Sequence, residues 1–254
     1  MRAYILCALL VATVAGLPEH RIIGGVEADI SSHPYAAVLL RYNSNTGSYE
    51  QQCGGAIINN RSLLTSVKCV INDSPQIWSA RLGSSLANSG GVLYTVGSFI
   101  IHPQYEVSDS DHDVAILRTQ GFITYGANIR NIGIAGSGYI LGDNTPVTTV
   151  GWGAVGYEQE KSNQLLKADL RIINHTTCRQ NYNIISMQVT ENMICAGNPS
   201  GGVDFCEGDV GNPLVHNNVL IGFASMGTAI CGLADYPGVY TSVNKYTSWI
   251  QSNA

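Results

Sequence analysis

Between Leu166 and Ile172 the chain alternates without a slip. Leu166, Ala168, Leu170 and Ile172 are apolar, while Lys167, Asp169 and Arg171 are polar. Successive side chains of a strand point to opposite faces, so this segment reads as a strand with one buried and one wet face. Other apolar or alternating runs predict strands over residues 36–42, 55–58, 62–66, 78–82, 92–101, 114–119, 146–152, 212–216, 219–225 and 238–243. Clusters of Gly, Asn, Ser and Pro separate them at short spacing, as in an all-β sandwich or barrel. His216-Asn217-Asn218-Val219 reads as a tight hairpin. Two helices are expected. A short one is capped by Asn174 or Thr176 and runs through Asn181. A terminal one over 243–252 gathers Val243, Tyr246, Trp249 and Ile250 on one side.

Composition narrows this picture. Of 254 residues 45% are hydrophobic and 12% charged, enough apolar material for a core and too little charge for a disordered chain. The 28 glycines favour turns over long helices. A net charge of −5 argues against a general nucleic-acid binder, which is normally basic.

Residues 1–16 read as a secretory signal peptide: Arg2, an apolar run from Tyr4 to Ala15, then small residues. The run is shorter than the roughly 20 residues that span a bilayer. Residues 17–21 read as a short propeptide and 22–254 as one domain. Cleavage of the leader removes Cys7 and leaves Cys53, Cys69, Cys178, Cys195, Cys206 and Cys231, an even count that suggests three disulfides in a secreted chain. No C-x-x-C pair occurs, so no metal site is expected. Asp109, Asp111 and Asp113 imitate the start of a calcium loop. Val114 stands where that loop needs glycine and its terminal glutamate is absent, so the segment reads as a solvated acidic loop. Asn60, Asn72 and Asn174 open candidate N-glycosylation triplets. His102 reads as a surface residue, and His112 has no convergent partner recognisable from sequence.

The remaining motifs occur in a fixed order: Arg21-Ile22-Ile23-Gly24-Gly25, Cys53-Gly54-Gly55, Leu64-Thr65-Ser66-Val67-Lys68-Cys69, His112-Asp113-Val114-Ala115-Ile116-Leu117, Gly151-Trp152-Gly153, Asp204 through Pro213, and Pro237-Gly238-Val239-Tyr240. Together they resemble the trypsin-like, chymotrypsin-fold serine proteases over everything from Arg21 onward. The resemblance implies a trypsin-like double six-stranded antiparallel β-barrel with a short intermediate helix and a C-terminal helix. It implies disulfides Cys53–Cys69, Cys178–Cys195 and Cys206–Cys231. It also implies an activation cleavage after Arg21 that frees the Ile22 amine to pair with Asp209.

In that family a serine attacks the carbonyl, a histidine takes its proton, a buried aspartate orients the histidine, and two backbone N–H groups hold the oxyanion. The resemblance places Lys68 at the histidine position, Asp113 at the aspartate and Val210 at the serine. It assigns the oxyanion N–H groups to Gly208 and Val210. Valine has no hydroxyl, and a charged ammonium has no lone pair with which to accept a proton. Asp113 favours that charged form, so a Lys68–Asp113 ion pair is expected. The former substrate pocket is assigned to Asp204, Phe205, Ser225, Met226, Gly227 and Gly238, with Phe205 replacing a small wall residue and Met226 a tryptophan. Asn212 replaces a glycine, which restricts the backbone wherever φ must be positive.

The resulting expectation is a protein that is not an enzyme. It would be a secreted, extracellular pseudoprotease, released in a gut lumen or excreted, that binds without cutting. The resemblance within the family is to inactivated scabies-mite paralogues and to mite trypsin-like proteases. It implies interference with a host defence cascade such as complement, through host serum proteins. No cofactor, nucleic acid or membrane enters this reading, and a monomer is its default. The alternatives are a protease of residual or non-standard activity, a decoy that sequesters peptides or protease inhibitors, and a storage or structural protein.

Overall fold

The computed structural model describes residues 24–254. The signal peptide, the propeptide and the cleavage site Arg21-Ile22 lie outside the described residues.

A two-residue strand β1 (Val26–Glu27) leads into β2 (Ala36–Asn43), β3 (Ser48–Ile57), β4 (Ser62–Thr65), β5 (Trp78–Leu82), β6 (Val92–Ile101) and β7 (Ala115–Thr119). Strands β2 to β7 close into an antiparallel barrel in the order β2-β3-β4-β7-β6-β5. Its interior is filled by Ala37, Leu39, Ile57, Leu63, Trp78 and Leu117. The intervening residues Ala36, Val38, Leu40 and Ile116 belong to the other large core, shared with the second half of the chain. Strands β2 and β7 are therefore buried on both faces, and Ala36-Ala37-Val38-Leu39-Leu40 shows no alternation for that reason.

The second half adds β8 (Gly133–Ile134), β9 (Pro146–Gly151), β10 (Leu166–Ile173), α1 (His175–Ile184), β11 (Met193–Gly197), β12 (Pro213–His216), β13 (Val219–Met226), β14 (Gly238–Ser242) and α2 (Val243–Asn253). The order β10-β11-β14-β13-β12-β9, closed by β9 on β10, makes a second six-stranded antiparallel barrel, with β1 on β10 and β8 parallel to β13. The apolar face of β10 enters the shared core, as its alternation predicts. Asn217 and Asn218 take φ of 47° and 59°, the two left-handed positions of a two-residue hairpin turn. Asn174 caps α1 by accepting the N–H of Thr177 at 3.0 Å.

The two-residue β1 and β8 are not predicted, and two longer strands differ from expectation. β3 begins at Ser48 rather than Gly55. Its first half, Ser48-Tyr49-Glu50-Gln51-Gln52, is polar and pairs with the solvated end of β2. β11 is not predicted, because Met193-Ile194-Cys195-Ala196-Gly197 has neither β-branched enrichment nor alternation; pairing to both β10 and β14 enforces it. Disulfides join Cys53 to Cys69, Cys178 to Cys195 and Cys206 to Cys231. The barrels meet through reciprocal bonds. Trp152 Nε1 and Leu165 N both donate to the Ser85 carbonyl, at 2.9 and 2.7 Å, and Ala87 N donates to Asn163 O at 2.8 Å.

Candidate functional site

One face of the junction between the barrels collects the loops that carry the candidate residues. After β4, Ser66 caps a single 3-10 turn, Val67–Cys69, by accepting the Lys68 N–H at 3.1 Å. The Cys53–Cys69 disulfide fastens this turn to β3. Asp113 ends the loop before β7 and is 1% exposed. From the second barrel comes the loop 206–212, which is held to β3 by Gly54 N donating to Val210 O at 2.8 Å.

Asp113 is saturated with donors. The Ser66 hydroxyl is shared between Oδ1 and Oδ2 at 2.8 and 2.7 Å, Ser225 Oγ donates to Oδ2 at 2.6 Å, and Lys68 N donates to Oδ1 at 3.3 Å. Burial pushes its carboxyl upward, opposed by the Lys68 charge and the two hydroxyls. The expected Lys68–Asp113 ion pair is not formed. Lys68 Nζ instead donates to the Ser225 carbonyl at 3.0 Å, because the Ser66 and Ser225 hydroxyls already occupy the carboxylate. Burial lowers the Lys68 pKa, with the Asp113 charge acting against it. Sequence reasoning passed over Ser66, although it lies two residues before Lys68 and its type is the one that caps such a turn.

Val210 is half-buried and packs against the first-barrel core. Gly208 has φ of 86°, and its carbonyl accepts Gln51 Nε2 at 3.1 Å. Lys161 Nζ donates to the Gln51 carbonyl at 3.0 Å and lays its stem along Gly208. No acceptor among the described residues takes the N–H of Gly208 or Val210. Gln51 and Lys161 lie 110 positions apart, and nothing in the sequence joins them to the site.

The concern over Asn212 is corrected. Its φ is not positive; Gly211 supplies the left-handed step at 84°. The Asn212 side chain is wedged between Gly54 and Gly151, and its Nδ2 donates to Asp209 Oδ1 at 2.5 Å. Asp209 also accepts Gly153 N at 2.8 Å and Cys206 N at 3.0 Å, and burial raises its pKa to about 7. Asp204 accepts Phe205 N at 2.8 Å and Gly232 N at 3.3 Å and is likewise pushed up to about 7 by burial. A cavity of about 520 Å³ opens beside these residues, lined in part by Phe205, Val210, Ser225, Met226 and Gly227.

Other expectations move. Asp111 is not merely solvated: it accepts Thr190 Oγ1 at 2.9 Å and Asn192 Nδ2 at 3.1 Å, tying the acidic loop to the second barrel. His102 is buried rather than on the surface, and stacks on His112 with centroids 4.9 Å apart. Asn60, Asn72 and Asn174 are all exposed, and Asn174 is also engaged by its cap and by Asp143.

A model of the trypsin family matches residues 22–250. The chain belongs to the trypsin family. It is 44% identical to trypsin CFT-1 of Choristoneura fumiferana, with 98% of each chain covered. It is 42% and 40% identical to alkaline trypsins C and A of Manduca sexta over 100% of each chain. These relatives overturn the expectation of a non-enzyme. Trypsin-family chains this similar over their whole length carry the name of a proteolytic enzyme and point to one here. They are trypsins of Choristoneura fumiferana and Manduca sexta, and they give no support to the scabies-mite resemblance.

The buried Asp204 makes stability depend on pH. Its folded pKa lies above the ordinary 3.8, so its contribution is full below that value and is lost as pH rises through about 7. Each pH unit of that displacement is worth about 1.4 kcal/mol. Asp204→Asn keeps an oxygen for one of the two N–H donors, Phe205 N on Oδ1, and cannot ionise. It is expected to stabilise the fold at pH 8 by about 2 kcal/mol and to flatten the decline between pH 4 and 7 in urea titrations. An unchanged pH profile would contradict the assignment.

Proposed function

We propose that this trypsin-family chain acts outside the cell as a peptidase of residual, non-standard activity, using water directly rather than an acyl-enzyme. The observation that carries this reading is Lys68. Its amine donates to the carbonyl of Ser225, a residue that lines the cavity, and burial lowers its pKa so that a neutral, proton-accepting form is reached more readily.

In this mechanism the N–H groups of Gly208 and Val210 polarise the scissile carbonyl. Water attacks the carbonyl carbon and gives a proton to neutral Lys68. The C–N bond then breaks, and the proton passes from Lys68 to the leaving amine. Val210 takes no covalent part. An oxyanion hole and binding alone sustain roughly 10³–10⁴-fold over water in this family, which sets the scale of turnover. Asp113 keeps a negative charge behind Lys68 as the ammonium forms.

Turnover of a peptide amide is expected to rise with pH as Lys68 deprotonates, below the ordinary lysine value. Lys68→Met is expected to lower it by about 10²-fold or more and to remove its pH dependence, while leaving the melting temperature within a few degrees. A flat pH profile, or full activity in Lys68→Met, would contradict the role. The second reading is a decoy that holds peptides or protease inhibitors, favoured by Val210, which offers no hydroxyl for acylation. Interference with a serum cascade has no support in the relatives, which are named as trypsins.

A further inference from the structure

We propose that Phe205 has converted the acidic specificity pocket of this cleft into a shallow apolar seat, so that it accepts a short neutral side chain and excludes arginine and lysine. The inference rests on the reading that the cleft takes peptides. It concerns which peptides those are.

The pocket is a slot between two glycines, Gly227 and Gly238, which bring backbone rather than side chain to its walls. Phe205 spans that slot. A Cβ placed on Gly238 would lie 2.6 and 2.8 Å from Phe205 Cε1 and Cδ1, so one edge of the ring rests on that backbone. A Cβ on Gly227 would lie 3.8 and 3.9 Å from Cζ and Cε2, so the other end of the ring reaches the opposite wall. The ring is held edge-to-face on Tyr240, with centroids 5.2 Å apart at 79°, and is 7% exposed. An extended side chain cannot pass where the ring already fills the gap.

Asp204 also lines the cavity but is only 4% exposed, and its oxygens are engaged by the N–H groups of Phe205 and Gly232. A guanidinium or ammonium held on the near side of the ring would lose water without reaching that carboxylate, and an unpaired charge in such a place is strongly disfavoured. What remains open is the cavity over the ring, walled by Val210, Met226, Ala229 and the Cys206–Cys231 disulfide. These walls are apolar, and the carboxylates of Glu158 and Glu207, which also line the cavity, are solvent-exposed and screened. A methyl or isopropyl group suits the apolar walls.

The test measures binding, so it does not depend on turnover. Benzamidine, an aryl amidine cation, is titrated calorimetrically at pH 8 into the wild-type chain, Phe205→Ser, and Phe205→Ser with Asp204→Asn. The wild-type chain is expected to show no saturable binding. Phe205→Ser should gain at least about tenfold in affinity, and the added Asp204→Asn should remove that gain. Equal binding by wild type and Phe205→Ser would overturn the proposal, as would a gain that survives Asp204→Asn. Should Phe205→Ser fail to fold, fluorescence polarisation of labelled peptides on the wild-type chain decides. Peptides presenting alanine or valine should bind at least about tenfold more tightly than the same peptide presenting arginine, and the reverse order would overturn the proposal. A chain that binds these peptides in the expected order but never hydrolyses them would refute the proposed peptidase and leave the pocket assignment standing.

Discussion

Lys68→His with Val210→Ser is expected to raise turnover of an alanyl or valyl peptide ester by about 10³-fold or more and to make it sensitive to a serine-directed fluorophosphonate. Most of the surrounding machine is in place. Asp113 is buried, Ser225 Oγ holds its Oδ2, and the N–H groups of Gly208 and Val210 face no protein acceptor among the described residues. Ser66 is the obstacle. Its hydroxyl is shared between both oxygens of Asp113, and the Lys68 N–H and Ser225 Oγ fill the rest. An imidazole at position 68 must displace that hydroxyl before it can be oriented, so adding Ser66→Ala should raise the rate further. Arginyl esters should stay poor substrates until Phe205 is also replaced. Equal gains on arginyl and alanyl esters would contradict the pocket argument. No gain on either, in a folded triple variant, would contradict the account of Asp113.

Gly211→Ala is expected to be a strongly damaging single methyl in the site. Its φ of 84° is a left-handed value that a side chain resists, at about 1–3 kcal/mol. The new Cβ would also press into the Gly54 carbonyl and the Thr65 hydroxyl. Those groups are not free to yield, because Thr65 Oγ1 donates to Gly54 O at 2.7 Å and Gly54 N donates to Val210 O at 2.8 Å. Overpacking of this kind adds about 1–3 kcal/mol. The sum predicts a fall in Tm of about 5–20 °C for a chain of this size. It also predicts loss of the Gly211 N–H bond to Ala224 O, which sets loop 206–212 against β13. A Tm within about 2 °C of wild type would contradict this, and calorimetry reads it directly.

How much could be read beforehand follows from where the information lay. β10 was legible because one of its faces is wet. β2 was legible as an apolar run, though only the structure shows that its two faces feed two different cores. β11 was hidden because its strand character comes from its neighbours rather than from Met193, Cys195 or Gly197. In the site, the ordered motifs located Lys68, Asp113, Phe205 and Val210. Their partners were another matter. Ser66 on Asp113, Gln51 on Gly208 and Asn212 on Asp209 arise when distant segments converge, and no local pattern encodes them. The same convergence redirected Lys68 from the expected carboxylate to the Ser225 carbonyl.

The central claim is hydrolysis without a serine nucleophile. Its most direct test is the rate of peptide-amide cleavage by the purified chain before and after saturation with a serine-directed fluorophosphonate. The account predicts slow, saturable turnover above the buffer rate, unchanged by the reagent and lowered by about 10²-fold or more in Lys68→Met. Turnover abolished by the fluorophosphonate, or none above buffer at any pH, would contradict it.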